Sequence, residues 1–270
     1  MYSGSTLTTF SGRILGAHQK IDRVARKHLE LLLPDVTFPS IKAILYFEGD
    51  NGPDGIKRKS PGKDEPWHFY QPFDDADVGL PKTISDHYNN LVAALAAQEM
   101  VKAGFEAAWL SHAVVDGLTP AHHFPYGERL AELRDEGINT RDSIKNKLVL
   151  PGKTRWDQIG NNWKMWGPKG LFTTHSAFEL GVATVIAPLS LSAAMPDKED
   201  VATYMELGPV EWFKREAREI AQMGLYAEFY KNGWNNRLAQ KIRKLLVPAI
   251  VRTVTLLWYG AAVEAQTQKI

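Results

Sequence analysis

The chain predicts an all-α fold: one helical-bundle-like domain over residues 1–270, holding a metal cluster between its helices. Three observations predict it. Apolar residues recur at helical rather than alternating spacing through most of the sequence. No convincing pair of period-two runs joined by a hairpin turn occurs. Histidines and carboxylates are spaced to converge from several helices, as in ligand sites built inside bundles. At 270 residues the chain is long enough to bury a large core as one domain.

The first helix is expected over residues 16–33. Ile21, Val24, Leu29, Leu32 and Leu33, with Ile14 just before them, fall near helical spacing, and Pro34 stops the run. Residues 34–82 lose the pattern, with Pro, Gly and Asp scattered through 50–62 and again through 72–81, the composition of a loop. So long a loop in a compact domain is commonly functional. Ser85-Asp86 is read as the cap of a helix of roughly twenty residues, ended by Gly104, with a second helix from about Phe105. Residues 121–170 are polar and dotted with Trp, with one helix over 126–135. Helices resume over 173–193, 209–231 and 236–266, and Asn232-Gly233 marks the turn between the last two. No internal repeat or low-complexity tract interrupts them.

Composition narrows the function classes. The hydrophobic share of 44% and charged share of 23% are ordinary for a globular protein. A net charge of +1 gives no global field for nucleic acid. The absence of cysteine removes disulfides, thiolate ligands and a thiol nucleophile. The first ten residues lack a charged region followed by an apolar one, so no signal peptide is expected and the expected location is cytoplasmic, with export left open. Residues 245–263 are long and apolar enough to span a bilayer. Arg252 and Pro248 within them, and their amphipathic spacing, favour a core helix.

The most informative run is Ala-Trp-Leu-Ser-His-Ala-Val-Val-Asp-Gly-Leu-Thr-Pro-Ala-His-His, which carries His112, Asp116 and His122. A couplet, His175 and Glu179, follows. Imidazole and carboxylate are the ligands that zinc prefers. Residues four apart share a helix face, so His112/Asp116 and His175/Glu179 can each aim at one spot. His122 lies about 600° of helical rotation beyond Asp116, so one helix would serve two neighbouring metals with Asp116 between them. Such a pattern arises by chance on the order of once per hundred chains, so a lone core histidine is the poorer account.

These motifs, with three more, resemble the zinc-dependent phospholipase C family and, more distantly, the S1/P1 nucleases that share its fold. His18 stands in Gly-Ala-His-Gln-Lys-Ile-Asp. Gly49-Asp50-Asn51-Gly52-Pro53-Asp54 is similar to the family's Gly-x3-Pro-Asp. Trp67-His68-Phe69-Tyr70 matches its His-Phe-Tyr, with His68 fourteen residues after Asp54. The matches run in family order from residue 18 to 179, and the remaining third reads as compatible helix.

The resemblance implies that Asp54, His68, His112 and Asp116 hold one zinc ion and that His122, His175 and Glu179 hold a second. It implies that Asp54 also acts as general base. Asp50 is the rival for the loop carboxylate, and Asp54 is preferred on its spacing to His68. In the family a third metal is shared by the first His, here His18, and the amine and carbonyl of an N-terminal Trp. This chain starts Met1-Tyr2 and has no Trp before Trp67, so a third site is expected to be weak or empty.

The implied activity is hydrolysis of phospholipids to diacylglycerol and a phosphorylated headgroup. Glu179 is the phospholipase habit where the nucleases more often carry Asp, and the nucleases' Trp-Ala-Asp signature is absent. Gly55 and Glu65 stand where the choline-pocket aromatics would be, so the headgroup is open. A nuclease or other phosphoesterase, and a metal-holding binding protein without turnover, are the alternatives. The expected partner is a phospholipid or other phosphodiester substrate, with transient membrane-surface contact and no nucleic acid; the oligomeric state is open. His28, with Arg26 and Lys27 beside it, is expected on a solvent face, and His87 and His123 match nothing. The Trp residues are expected in the core and pocket wall.

Overall fold

The structure, a computed structural model, describes residues 1–3, 16–49, 51–62, 66, 68–134 and 141–268. The chain forms α1 (Ala17–Leu32), α2 (Ile41–Tyr46), α3 (Pro53–Lys59), α4 (Gly79–Ala96) and α5 (Met100–Gly117), then a 3-10 turn, Pro120–His123. It continues with α6 (Tyr126–Leu133), α7 (Ile144–Leu148), α8 (Arg155–Trp166), α9 (Leu171–Ile186), α10 (Lys198–Gln222) and α11 (Leu225–Asn232). The last helix runs as α12 (Asn236–Lys241), a π turn (Ile242–Leu246) and α13 (Val247–Thr267). Among the described residues there is no strand, and the class is all-α.

The centre of the fold is α5. Its Ala103, Ala107, Ala108, Leu110, Ala113, Val114 and Val115 are buried, as are His112 and Asp116. A helix apolar round most of its circumference has neighbours on every side. Here α4, α13, α2 and α1 surround it, and its many alanines let them come close. The aromatic anchor is Trp258 of α13, fully buried, whose indole N–H donates to the Ala107 carbonyl at 3.1 Å. Burying a side chain of that size contributes about 1.5–3 kcal/mol. A smaller second cluster, Tyr126, Leu130, Leu150 and Met165, joins α6 to α8.

Several boundaries differ from the sequence expectation. The first long break falls at Gln98, whose φ of 59° is left-handed, and Gly104 lies inside α5. Ser85-Asp86 does not cap a helix. The chain turns helical at Gly79, since Pro81 is tolerated in a first turn, where its missing N–H would have no partner. Residues 34–82 are not all loop: Ser40 caps α2 by accepting from the Ala43 amide, and Pro53 starts α3. The stretch 209–231 is two helices, and α10 reaches back to Lys198 through a kink. There Gly208 takes φ 75°, open to glycine, and Pro209 follows.

The apolar stretch 245–263 is mostly buried inside the fold. Its Arg252 pairs with Asp200 of α10 at 3.0 Å. The wider π turn just before Pro248 loosens the carbonyl ladder where the ring would clash. His28 is buried rather than solvent-facing, because α1 packs along α13 on that side.

Gly117 closes α5 against two side chains. A Cβ there would lie 2.6 Å from Leu80 Cδ2 and 2.7 Å from Phe213 Cζ. Gly117→Ala should therefore lower unfolding stability by about 1–3 kcal/mol, the usual cost of overpacking. Denaturant titration reads this, and an unchanged midpoint would show that both neighbours withdraw freely.

Candidate metal centre

Six segments deliver side chains to one buried locus around Asp116. His18 comes from the first turn of α1, with Nε2 3.2 Å from Asp116 Oδ1 and its ring stacked on His112 at 4.1 Å between centroids. His112 and Asp116 leave the same face of α5 one turn apart, Nε2 to Oδ2 3.2 Å. Asp54, the second residue of α3, puts Oδ1 3.7 Å from His112 Nε2. At 24% exposure it is the most open of the eight candidate ligands, so it stands at the mouth. His68 Nδ1 is 3.2 Å from Asp116 Oδ2. His122 Nε2 lies 2.9 Å from Glu179 Oε1 and 3.7 Å from Asp116 Oδ1. His175 and Glu179, one turn apart on α9, meet at 3.1 Å.

All eight candidates from the sequence thus converge. The donor atoms of His68, His112 and Asp116 lie within 4.8 Å of one another, and so do those of His122, His175 and Glu179. Asp50 and Trp67 lie outside the described residues.

His122 arrives by a different route from the one expected. It is not on the central helix, which stops at Gly117, but on the 3-10 turn begun by Pro120. A strap holds it there: the Tyr70 amide donates to the His122 carbonyl at 3.0 Å, and His122 Nδ1 meets the His68 carbonyl at 3.1 Å. Phe69 stacks on the His122 ring and on Tyr126.

Two groups were missed by sequence reasoning. Glu48 is fully buried, with Oε1 2.8 Å from His112 Nδ1 and 3.4 Å from His18 Nδ1; with those two rings it makes a third cluster within 4.8 Å. Its only signal was a carboxylate ending the apolar run Ile-Leu-Tyr-Phe. The amino group of Met1 lies 2.5 Å from Asp116 Oδ1 and 3.1 Å from Glu179 Oε1. With no N-terminal Trp to match, Met1 has no place in the site on sequence alone, and this contact puts its amine there. The Tyr2 carbonyl, accepting from the Ala17 amide at 2.7 Å, ties the segment to α1 beside His18. Two of the other histidines have local partners: His87 Nδ1 is 2.6 Å from Glu106, and His123 Nε2 donates to the Gly117 carbonyl at 2.8 Å.

Electrostatics give Asp116, Glu179 and Asp54 their charge and deny it to His68, His112 and His122. Burial would raise the Asp116 pKa, but the Met1 ammonium, His122 and Lys57 hold it well below the carboxylate range. For Glu179, burial is likewise outweighed by the Met1 ammonium and His175. For Asp54 it is outweighed by Lys57 and His112. Burial lowers His112 to about 3 and His122 to about 4, and lowers His68 as well. Burial and the nearby charges of Asp22, Asp54 and Asp116 push Glu48 well up. Ionised carboxylates beside neutral imidazoles are the protonation states that ligate metal.

The fit to a cation can be tested at His122. Its two nitrogens face a carbonyl and an ionised carboxylate, both of which only accept. A neutral ring has one proton and satisfies one of them. The other contact sets lone pair against lone pair unless a positive species lies between. His18 Nε2 and His112 Nε2, both facing Asp116, are also buried without a hydrogen-bond partner. The donor set fits a divalent ion. No protein-family profile, curated protein or solved structure matches this chain.

The lowered histidines fix a pH signature. In the unfolded chain these rings charge below about pH 6.5. Folded, His112 and His122 stay neutral to about 3 and about 4. Their contribution to stability is whole above the unfolded value and is withdrawn as pH falls toward the folded values. The NMR Hε1 shifts of both rings should stay constant from about pH 7 to about pH 5, where an ordinary histidine titrates. A midpoint inside that window would show that burial does not hold them neutral.

Proposed function

We propose that the protein is a zinc-dependent phosphodiester hydrolase of the phospholipase C type, releasing a phosphorylated headgroup and a diacylglycerol-like alcohol. The observation that carries this is His122, whose neutral ring faces two acceptors within a locus where seven matched nitrogen and oxygen ligands meet. His68, His112 and Asp116, with Asp54 at the mouth, would hold one ion, and His122, His175 and Glu179 a second. His18 and the Met1 amine would border a third. The ordered resemblance to the zinc-dependent phospholipases C, and Glu179 in place of the nucleases' Asp, favour the lipid-type ester.

Clustered divalent ions, when bound, neutralise phosphate oxygens and acidify water. The chain's own residues do the rest. Asp54 is ionised and partly open to solvent, so it can accept and orient the proton of an attacking water. Glu48 meets the outer nitrogen of His112 and turns Nε2 inward toward Asp116 and Asp54. Phe69 and Tyr126 wall the His122 side with apolar rings.

A second reading has an observation of its own. The Met1 ammonium and Lys57 Nζ, 2.5 and 3.4 Å from Asp116, supply positive charge from the chain itself, as a non-catalytic ion-pair core would. Elemental analysis after mild purification separates the two. At least two equivalents of zinc are expected, and less than one after reconstitution overturns the proposal. Asp116→Ala should lower both metal content and fold stability. Short-chain phosphatidylcholine, phosphatidylethanolamine and single-stranded DNA, assayed with a chelator control, identify the ester. Cleavage of DNA alone would replace this reading with a nuclease. Glu48→Ala should weaken zinc affinity by about 10–100-fold in a chelator competition, with Glu48→Gln losing less. Equal affinity in all three proteins would remove Glu48 from the design.

A further inference from the structure

Helix α8 is amphipathic in the wrong sense for a soluble helix. Trp156, Ile159, Trp163 and Trp166 fall within about 80° of its circumference, one narrow stripe. The stripe faces outward: Trp156 is 82% exposed, Trp163 67% and Ile159 60%. The opposite face is polar yet turned inward. Asn161 donates to the Pro151 carbonyl at 2.9 Å, Asn162 both donates to and accepts from the Leu150 backbone, and Met165 is buried. The expectation that the tryptophans serve core and pocket wall therefore fails here, though Trp212 and Trp258 are core. Trp166 extends the patch, bonding the carbonyl of half-exposed Leu148 at 2.9 Å and touching Phe172 at 4.6 Å between centroids.

Charge accompanies the stripe. Residues 141–172 contain seven basic side chains and two acidic ones, in a chain whose net charge is +1. Both acids are engaged locally: Asp142 accepts from Asn146 at 2.6 Å, and Asp157 closes the capping box with Thr154. Arg155 and Lys164 flank the stripe on its two sides, at about 100° and about 80° from Trp156. Exposed indoles and an isoleucine bordered by basic residues suit an interfacial helix, whose apolar face enters the headgroup boundary by about 5–10 Å while cations meet anionic lipid. Behind α8, Met165 belongs to the cluster with Tyr126, and Tyr126 stacks on Phe69 over His122. The helix itself, Met165 and Tyr126 thus lie between the patch and the candidate metal centre.

We propose that α8 is a docking surface for an anionic phospholipid bilayer and lies along it through Trp156, Ile159, Trp163 and Trp166. That the docked site then acts on the lipid rests on the hydrolase reading; the docking does not. The test uses the full chain with vesicles of phosphatidylcholine and phosphatidylglycerol in equal parts, against phosphatidylcholine alone. Sedimentation and quenching of indole fluorescence by brominated lipid read binding. The anionic vesicles should bind the protein at least about tenfold more tightly. Trp156→Ser with Trp163→Ser should lose at least about tenfold of that affinity. Arg155→Glu with Lys164→Glu should remove its salt-sensitive part. Circular dichroism, metal content and cleavage of soluble bis(p-nitrophenyl) phosphate report whether each variant is folded. Failure of the unaltered protein to bind anionic vesicles overturns the proposal. So does a concentration-dependent dimer in ultracentrifugation that the Trp→Ser pair dissolves, since a second copy would then cover the stripe. Vesicle binding without cleavage of any phosphodiester supports the docking and overturns the hydrolase reading.

Discussion

One buried carboxylate sets the terms for the rest of the molecule. Asp116 projects from the middle of the fold with 1% of its surface exposed. An unpaired charge there would cost several kcal/mol in lost hydration. The structure answers it from many directions: the Met1 amine, the imidazoles of His18, His68, His112 and His122, and the Lys57 ammonium all lie within 3.7 Å. Each responder must be carried there by an element with its own reason to fold. The first turn of α1, the Pro-initiated α3 and the turn begun by Pro120 are three such carriers. The alanines of α5 let α1, α2, α4 and α13 close around the helix that bears Asp116.

The electrostatic pattern follows from that crowding. Burial alone would neutralise carboxylates and imidazoles alike. Because positive groups gather on Asp116, Glu179 and Asp54, these keep their charge while the rings of His68, His112 and His122 lose theirs. Glu48 sits one step farther out, with acids as neighbours, and shifts the other way. Two carboxylates a few ångströms apart thus play opposite electrostatic parts, decided by which neighbours the backbone brings.

The helical class and the two couplets of the site were legible because both rest on short-range spacing, whereas His18, Asp54 and His68 joined them only through the family resemblance. Four-residue couplets put His112 with Asp116 and His175 with Glu179 on any helix. Glu48 and the Met1 amine were not legible, since their place depends on long-range packing that no local pattern encodes. His122 was read onto the wrong element because rotation per residue holds only while a helix continues, and Gly117-Leu118-Thr119-Pro120 ends it. Helix α8 teaches the complementary point. Periodicity shows that Trp156, Ile159 and Trp163 share a face, but not whether that face looks inward or outward. The outward answer came from Asn161 and Asn162, which bind the neighbouring backbone and hold the other side down.

The strap between residues 68–70 and the turn at His122 reaches beyond local order. His68 belongs to one cluster of donors and His122 to the other, yet the His122 ring is held by the His68 carbonyl and the His122 carbonyl by the Tyr70 amide. The backbone that carries His68 cannot shift without moving the bond that orients the His122 ring. The two halves of the locus are therefore coupled mechanically, as two jaws on one hinge pin.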